Sequence, residues 1–176
     1  MGPKPRNLIK ALSEGILGYM LYQSRCGIHE AYSEYLLYDP IVRISKDKNW
    51  SIESEFSVDS KRGKGDKQRI DFLCGSSVNN TKIGLEIKFL KTRDSQLNIK
   101  SDIYKLKLIS NYTAYSKLYG FIVIAGDHST KNVQRIKKLQ KEFKLTEYFK
   151  TTFDNQFKKR FGVTVLKVIE LEWKSQ

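Results

Sequence analysis

Apolar residues along the chain follow two rhythms. From Asn7 to Ser24, Leu8, Leu12, Ile16 and Met20 recur at helical spacing, and Ile9, Leu17 and Leu21 widen the stripe. Gly15 and Gly18 interrupt it, marking either a weakened helix or close packing against a neighbour. A second helix is predicted over 28–38, ending before Asp39-Pro40, because the residue preceding a proline disfavours helical geometry. The period then drops to two. Over 50–58, Ile52, Phe56 and Val58 alternate with Glu53, Glu55 and Ser57, which predicts a first strand.

Two more strands are predicted within 68–88. Ile70 and Phe72 alternate with Arg69, Asp71 and Leu73, then Ile83, Leu85, Ile87 and Phe89 alternate with Gly84, Glu86 and Lys88. The turn-rich Ser76-Ser77-Val78-Asn79-Asn80 between them makes an antiparallel hairpin the natural connection. A helix follows over 95–112, with Leu97, Ile99, Ile103, Leu106 and Ile109 as its apolar positions. The continuously apolar run 119–125 suits a strand covered on both faces. Val133, Ile136, Leu139 and Phe143 mark an amphipathic helix with a lysine-rich opposite face, and 161–173 reads as a final strand. The order helix, three strands, helix, strand, helix, strand predicts an α/β fold. With no repeat or linker in sight, 1–176 is expected to be one domain with 1–6 as a loose basic tail.

Pairing Asp71 opposite Glu86 sets Ile70 against Ile87, Phe72 against Leu85 and Cys74 against Ile83 on one face. The other face then holds Arg69 with Lys88, Asp71 with Glu86 and Leu73 with Gly84. Directly opposed residues lie roughly 5 Å apart. Two carboxylates that close repel unless a cation sits between them or one takes a proton. Magnesium, which accepts one or two carboxylates in its shell, is the usual resolution. An acid, any residue and a lysine in succession is cheap in this chain: it occurs at Asp59, Glu86, Glu142 and Glu172. Only Glu86 combines an apolar strand with an upstream strand-borne aspartate in matching register.

Composition sharpens the picture. Lys and Arg number 32 against 19 Asp and Glu, a formal charge of +13, which points to a polyanionic partner, most simply nucleic acid. Lys61, Arg62, Lys64 and Lys67 lie in a charged loop with two glycines, next to Arg69, and are expected to contact phosphates. Two cysteines, Cys26 and Cys74, exclude a disulfide framework or a zinc site, and two histidines exclude a multi-histidine metal site. The 8–22 segment is broken by Lys10, Ser13 and Glu14, so neither a signal peptide nor a membrane span is expected and the protein reads as cytoplasmic.

Asp71, fourteen intervening residues and then Glu86-Ile87-Lys88 resembles the core motif of the PD-(D/E)XK nuclease superfamily, which includes many restriction enzymes and junction resolvases. Ile70 stands where that motif often has proline. The resemblance implies a restriction-endonuclease-like three-layer sandwich, a mixed β-sheet flanked by helices. It also implies Mg2+, with Mn2+ as substitute, held by Asp71, Glu86 and the Ile87 carbonyl, with Lys88 beside the attacking water. A glutamate from the preceding helix often completes such sites; Glu30 is first choice and Glu34 next, with Glu55 on the first strand as rival. Asp102, Lys105 and Leu106 resemble a pattern in the helix after the hairpin, which makes Lys105 a phosphate ligand. The expected activity is metal-dependent phosphodiester hydrolysis, an endonuclease acting on DNA. The alternatives are a non-catalytic nucleic-acid-binding module on the same fold and a basic RNA-binding protein. A cutter of junctions or paired strands would be a homodimer, with the apolar N-terminal helix as its interface.

Overall fold

The computed structural model describes residues 4–27, 33–58, 68–91, 97–111, 115–154 and 159–172. Helix α1 (Pro5–Arg25) begins with proline at its first position, where the missing N–H costs nothing, so Pro5 and Arg6 belong to the helix and not to a loose tail. Its predicted stripe is buried: Leu8, Ile9, Leu12, Ile16 and Met20 are all at most 2% exposed. Burying such side chains contributes about 1.5–3 kcal/mol each, against about 1 kcal/mol for an interior glycine. The helix therefore tolerates both of its glycines. A Cβ on Gly15 would lie 2.2 Å from Ile44 Cδ1, so this glycine permits close packing, whereas Gly18 faces open space. Because the stripe packs within its own chain, it is not available as the expected homodimer interface.

Ile44 lies on helix α2 (Tyr38–Asp47), which follows a 3-10 turn over Glu34–Leu37. The predicted end of the second helix is thus where α2 starts. Pro40 falls in its first turn, where backbone N–H groups have no intrahelical partner, so the proline is compatible with initiation. Of the predicted 28–38 helix, residues 28–32 lie outside the described residues.

Strands β1 (Ser51–Ser57), β2 (Arg69–Ser76) and β3 (Thr81–Leu90) form an antiparallel meander. Helix α3 (Lys100–Leu108), extended by a 3-10 turn, carries the chain to β4 (Lys117–Asp127), which pairs parallel with β3. Helix α4 (Thr130–Phe143) precedes β5 (Thr146–Asp154) and β6 (Arg160–Glu172). The sheet order is β1-β2-β3-β4-β6-β5, and its other neighbours are antiparallel. Strand β5 was not predicted from the sequence. It is a half-exposed edge strand whose Tyr148, Phe149 and Phe153 reach the core while Lys150 faces outward.

Two cores cover the sheet. Residues from α1 and α2 pack on Phe72, Cys74, Leu85, Ile87, Phe121 and Val123. On the opposite face, residues from α3 and α4 pack on Leu73, Leu118, Ile122, Ile124 and Leu166. This α/β arrangement around a mixed sheet is compatible with a three-layer sandwich. Among the described residues no helix is long and apolar enough to cross a membrane.

Candidate active site

The predicted hairpin register is the one observed where the ladder is intact: Phe72 opposes Leu85, Leu73 opposes Gly84 and Cys74 opposes Ile83. The ladder stops there. Asp71 does not continue as a simple cross-strand partner of Glu86; its Oδ2 instead accepts the Ile87 amide N–H at 2.6 Å. On the neighbouring strand, Glu55 adopts φ +53°, a left-handed conformation uncommon for a non-glycine residue. Side chains switch faces at this level. Ile52 packs with the α1 core but Phe56 with the α3 core, and Phe72 with the α1 core but Ile70 with the α3 core. The prediction that Ile70 shares a face with Phe72 and Ile87 is therefore corrected. An irregularity at Glu55 and Asp71 carries Ile70 across the sheet.

The irregularity opens space at the end of the hairpin, and polar groups fill it. Tyr38, at the start of α2, shares its one hydroxyl proton between Asp71 Oδ1 at 2.9 Å and Glu55 Oε1 at 3.2 Å. Its ring packs on Phe72, with centroids 4.5 Å apart. Glu86 is only 1% exposed, and its Oε1 lies 2.6 Å from the ammonium of Lys105. Lys105 also approaches Asp102 Oδ1 at 3.3 Å, and Lys88 approaches Asp102 Oδ2 at 3.2 Å. Asp102, with a side chain 3% exposed, thus sits between both lysines. The spacing of Asp102 and Lys105 on α3 places both on the face turned to the sheet.

With every group ionised the cluster is acidic: Asp71, Glu86 and Asp102 against Lys88 and Lys105. Burial is the largest cause raising the Glu86 carboxyl, and the nearby Asp71 and Asp102 charges add to it, to about 8 despite the Lys105 contact. Burial also lifts Asp71 above its ordinary range, against the Ile87 amide, Tyr38, Lys105 and Lys88, which favour its ionised form. For the lysines, burial opposes the charge but loses. Asp102 and Glu34 raise Lys88, and Glu86 with Asp102 raises Lys105, so both ammonium groups are reinforced.

The sequence-predicted residues are gathered unevenly. Asp71, Glu86, Lys88 and Lys105 converge, and Ile87 joins through its amide. Glu34 reaches the edge of the site, its Oε1 accepting the Phe89 amide N–H at 3.3 Å. Glu55 is linked through Tyr38. Arg69 is exposed on β2. Glu30, Lys61, Arg62, Lys64 and Lys67 lie outside the described residues. Tyr38 was missed because only the tertiary packing of α2 brings it to Asp71.

An oxygen-only donor set without histidine or cysteine suits a hard cation. Among the described residues no three acidic, histidine or cysteine side chains are gathered to hold a metal. Two buried oxygens, Glu86 Oε1 and Asp102 Oδ2, are nevertheless met by ammonium groups alone, those of Lys105 and Lys88. Buried carboxylate oxygens left so fit a cation better than a hydrophobic filler would. No family model, curated protein or solved structure matches the chain.

Proposed function

We propose that the protein is a metal-dependent nuclease of the PD-(D/E)XK type, hydrolysing phosphodiester bonds in DNA. One observation carries the reading: Asp71, turned onto the Ile87 amide where the β2–β3 ladder ends, lies within charge range of Glu86, Lys88 and Lys105, and Glu86 and Asp102 are buried against ammonium groups alone. Magnesium or manganese held by Asp71 and Glu86 would polarise a phosphate oxygen and lower the pKa of a bound water. The chain's own groups supply the rest. Tyr38 and the Ile87 amide fix the orientation of Asp71. Lys88, 23% exposed and kept charged by Asp102, stands beside the acids where negative charge develops during attack on phosphorus. The +13 net charge favours a polyanionic substrate, and the basic residues Lys61, Arg62, Lys64 and Lys67 are the natural source of phosphate contacts.

The Glu86–Lys105 contact by itself would also suit a purely structural ion pair in a non-catalytic module on the same fold. Cleavage decides between the two. Plasmid, linear duplex, branched DNA and RNA should be incubated with purified protein in Mg2+, Mn2+ or EDTA. The proposal expects cleavage with metal, none in EDTA, and none from Asp71→Asn. Equal cutting by wild type and Asp71→Asn, or none on any substrate, would remove the active-site assignment.

A further inference from the structure

The same geometry points to a cation position that the Asp71 and Glu86 motif does not include. We infer that Glu86 and Asp102 form a divalent-cation position which the Lys105 ammonium fills when no metal is bound. This rests on the nuclease reading of the site and names one more ligand and a displaced group within it.

Three observations converge. First, Lys105 Nζ lies 2.6 Å from Glu86 Oε1 and 3.3 Å from Asp102 Oδ1, so two carboxylates on different elements aim at one point. Second, both acids are almost fully buried, at 1% and 3%, and Glu86 Oε1 meets the Lys105 ammonium alone, while the other Asp102 oxygen, Oδ2, faces Lys88. The ammonium approaches Glu86 Oε1 at ion-pair distance and leaves that oxygen no other partner. Third, Lys105 is 21% exposed while the acids are not, so its long side chain can withdraw toward solvent and they cannot. Buried carboxylates require either a proton or a positive charge among them. A tethered ammonium supplies the charge when metal is absent, and a divalent ion supplies more of it. Once displaced, Lys105 stays at the rim of the site, where a substrate phosphate would enter.

Competition has a definite consequence: removing the tethered charge must strengthen metal binding. Lys105→Gln keeps a donor for Glu86 and Asp102 but is neutral. By calorimetry with Mn2+ and no nucleic acid, it should bind the ion about tenfold or more tightly than wild type. Lys105→Met should do the same; its metal-free melting temperature should fall and recover with Mn2+. Adding Asp102→Asn to Lys105→Gln should reverse the gain. If Lys105→Gln binds Mn2+ no better than a wild type that does bind it, the lysine is no stand-in and the inference fails while the nuclease reading stands. If the double variant keeps the gain, Asp102 is not a ligand and the position is wrong. If neither wild type nor Lys105→Gln binds Mn2+, the inference and the metal-dependent reading fall together.

Discussion

Glu86→Gln tests the energetics of the buried cluster most directly. Glutamine matches glutamate in shape and can still accept from Lys105, but it cannot ionise. The Glu86 carboxyl sits at about 8 in the folded chain against an ordinary 4.5, first because of burial and then because of Asp71. A group raised on folding contributes stability that is fully present below its unfolded pKa and is lost as pH rises through its folded one. In metal-free wild-type protein, stability should therefore decline between about pH 4.5 and pH 8 on account of Glu86. At about 1.4 kcal/mol per pKa unit, the ceiling is about 5 kcal/mol. The retained Lys105 contact and local relaxation reduce the expected difference to about 2–4 kcal/mol. For a chain of this length, 1 kcal/mol moves the melting temperature by about 2–4 °C.

The variant should thus melt close to wild type at pH 5 in EDTA, and about 5–10 °C above it at pH 9. Saturating magnesium should narrow or invert that gap. An ion at a hundred times its dissociation constant stabilises the wild type by about 2.7 kcal/mol and leaves the variant unaided. Scanning calorimetry at the two pH values, with EDTA and with magnesium, reads all four cases. Should Glu86→Gln melt below wild type at pH 9 in EDTA, the ionised Glu86–Lys105 pair is net stabilising and the buried-charge reasoning is refuted.

Four further outcomes are expected. Asp71→Asn should abolish cleavage and weaken Mn2+ binding with little loss of stability. The amide oxygen can take the Ile87 N–H while Tyr38 turns its hydroxyl to Glu55; Lys88→Ala should spare metal binding yet lower single-turnover cleavage by about 10²-fold. Equal losses of metal binding in both would merge the roles assigned to them. His128 is buried and held neutral, its Nε2 beside the Thr164 hydroxyl at 2.9 Å, and burial lowers its pKa; His128→Gln should flatten the loss of melting temperature below pH 6.5, and an unchanged slope would count against it. Gly126 has φ +117°, and a Cβ there would lie 2.3 Å from the Leu90 carbonyl oxygen, so Gly126→Ala should cost more than about 2 kcal/mol by urea denaturation.

The parts of the site that were legible in the sequence are those fixed by local period. Alternation in β2 and β3, with a turn between them, was enough for the register of Phe72, Leu73 and Cys74 against Leu85, Gly84 and Ile83. It was enough, too, to bring Asp71 near Glu86 and Lys88. The helical spacing of α1 exposed its buried stripe, and one of its glycines proved to be a packing site. What stayed hidden depends on contacts across the chain. Among the described residues strand β5 pairs with β6 alone and has a polar outer side, so its aromatic residues lack a clean alternation. The start of α2 was obscured because a proline that ends one helix is equally at home in the first turn of another.

The break in alternation is the most instructive miss, because it builds the site. A strict period of two would keep Phe56 beside Ile52 and Ile70 beside Phe72 on the α1 face. No glycine or proline marks the departure; Glu55 itself adopts the left-handed conformation. Such a conformation costs a non-glycine residue of order 1–3 kcal/mol and persists only where its surroundings over-determine it. The surroundings here are the Tyr38 hydroxyl on Glu55 and Asp71, and the Ile87 amide on Asp71. Together they end the β2–β3 ladder at Phe72↔Leu85 and turn an aspartate that periodicity places on a flat face into the corner of an acidic cluster. Burial of Glu86 against α3, and of Asp102 on the sheet-facing side of α3, then leaves those acids dependent on a cation or a proton, and Lys105 provides the cation from within the chain.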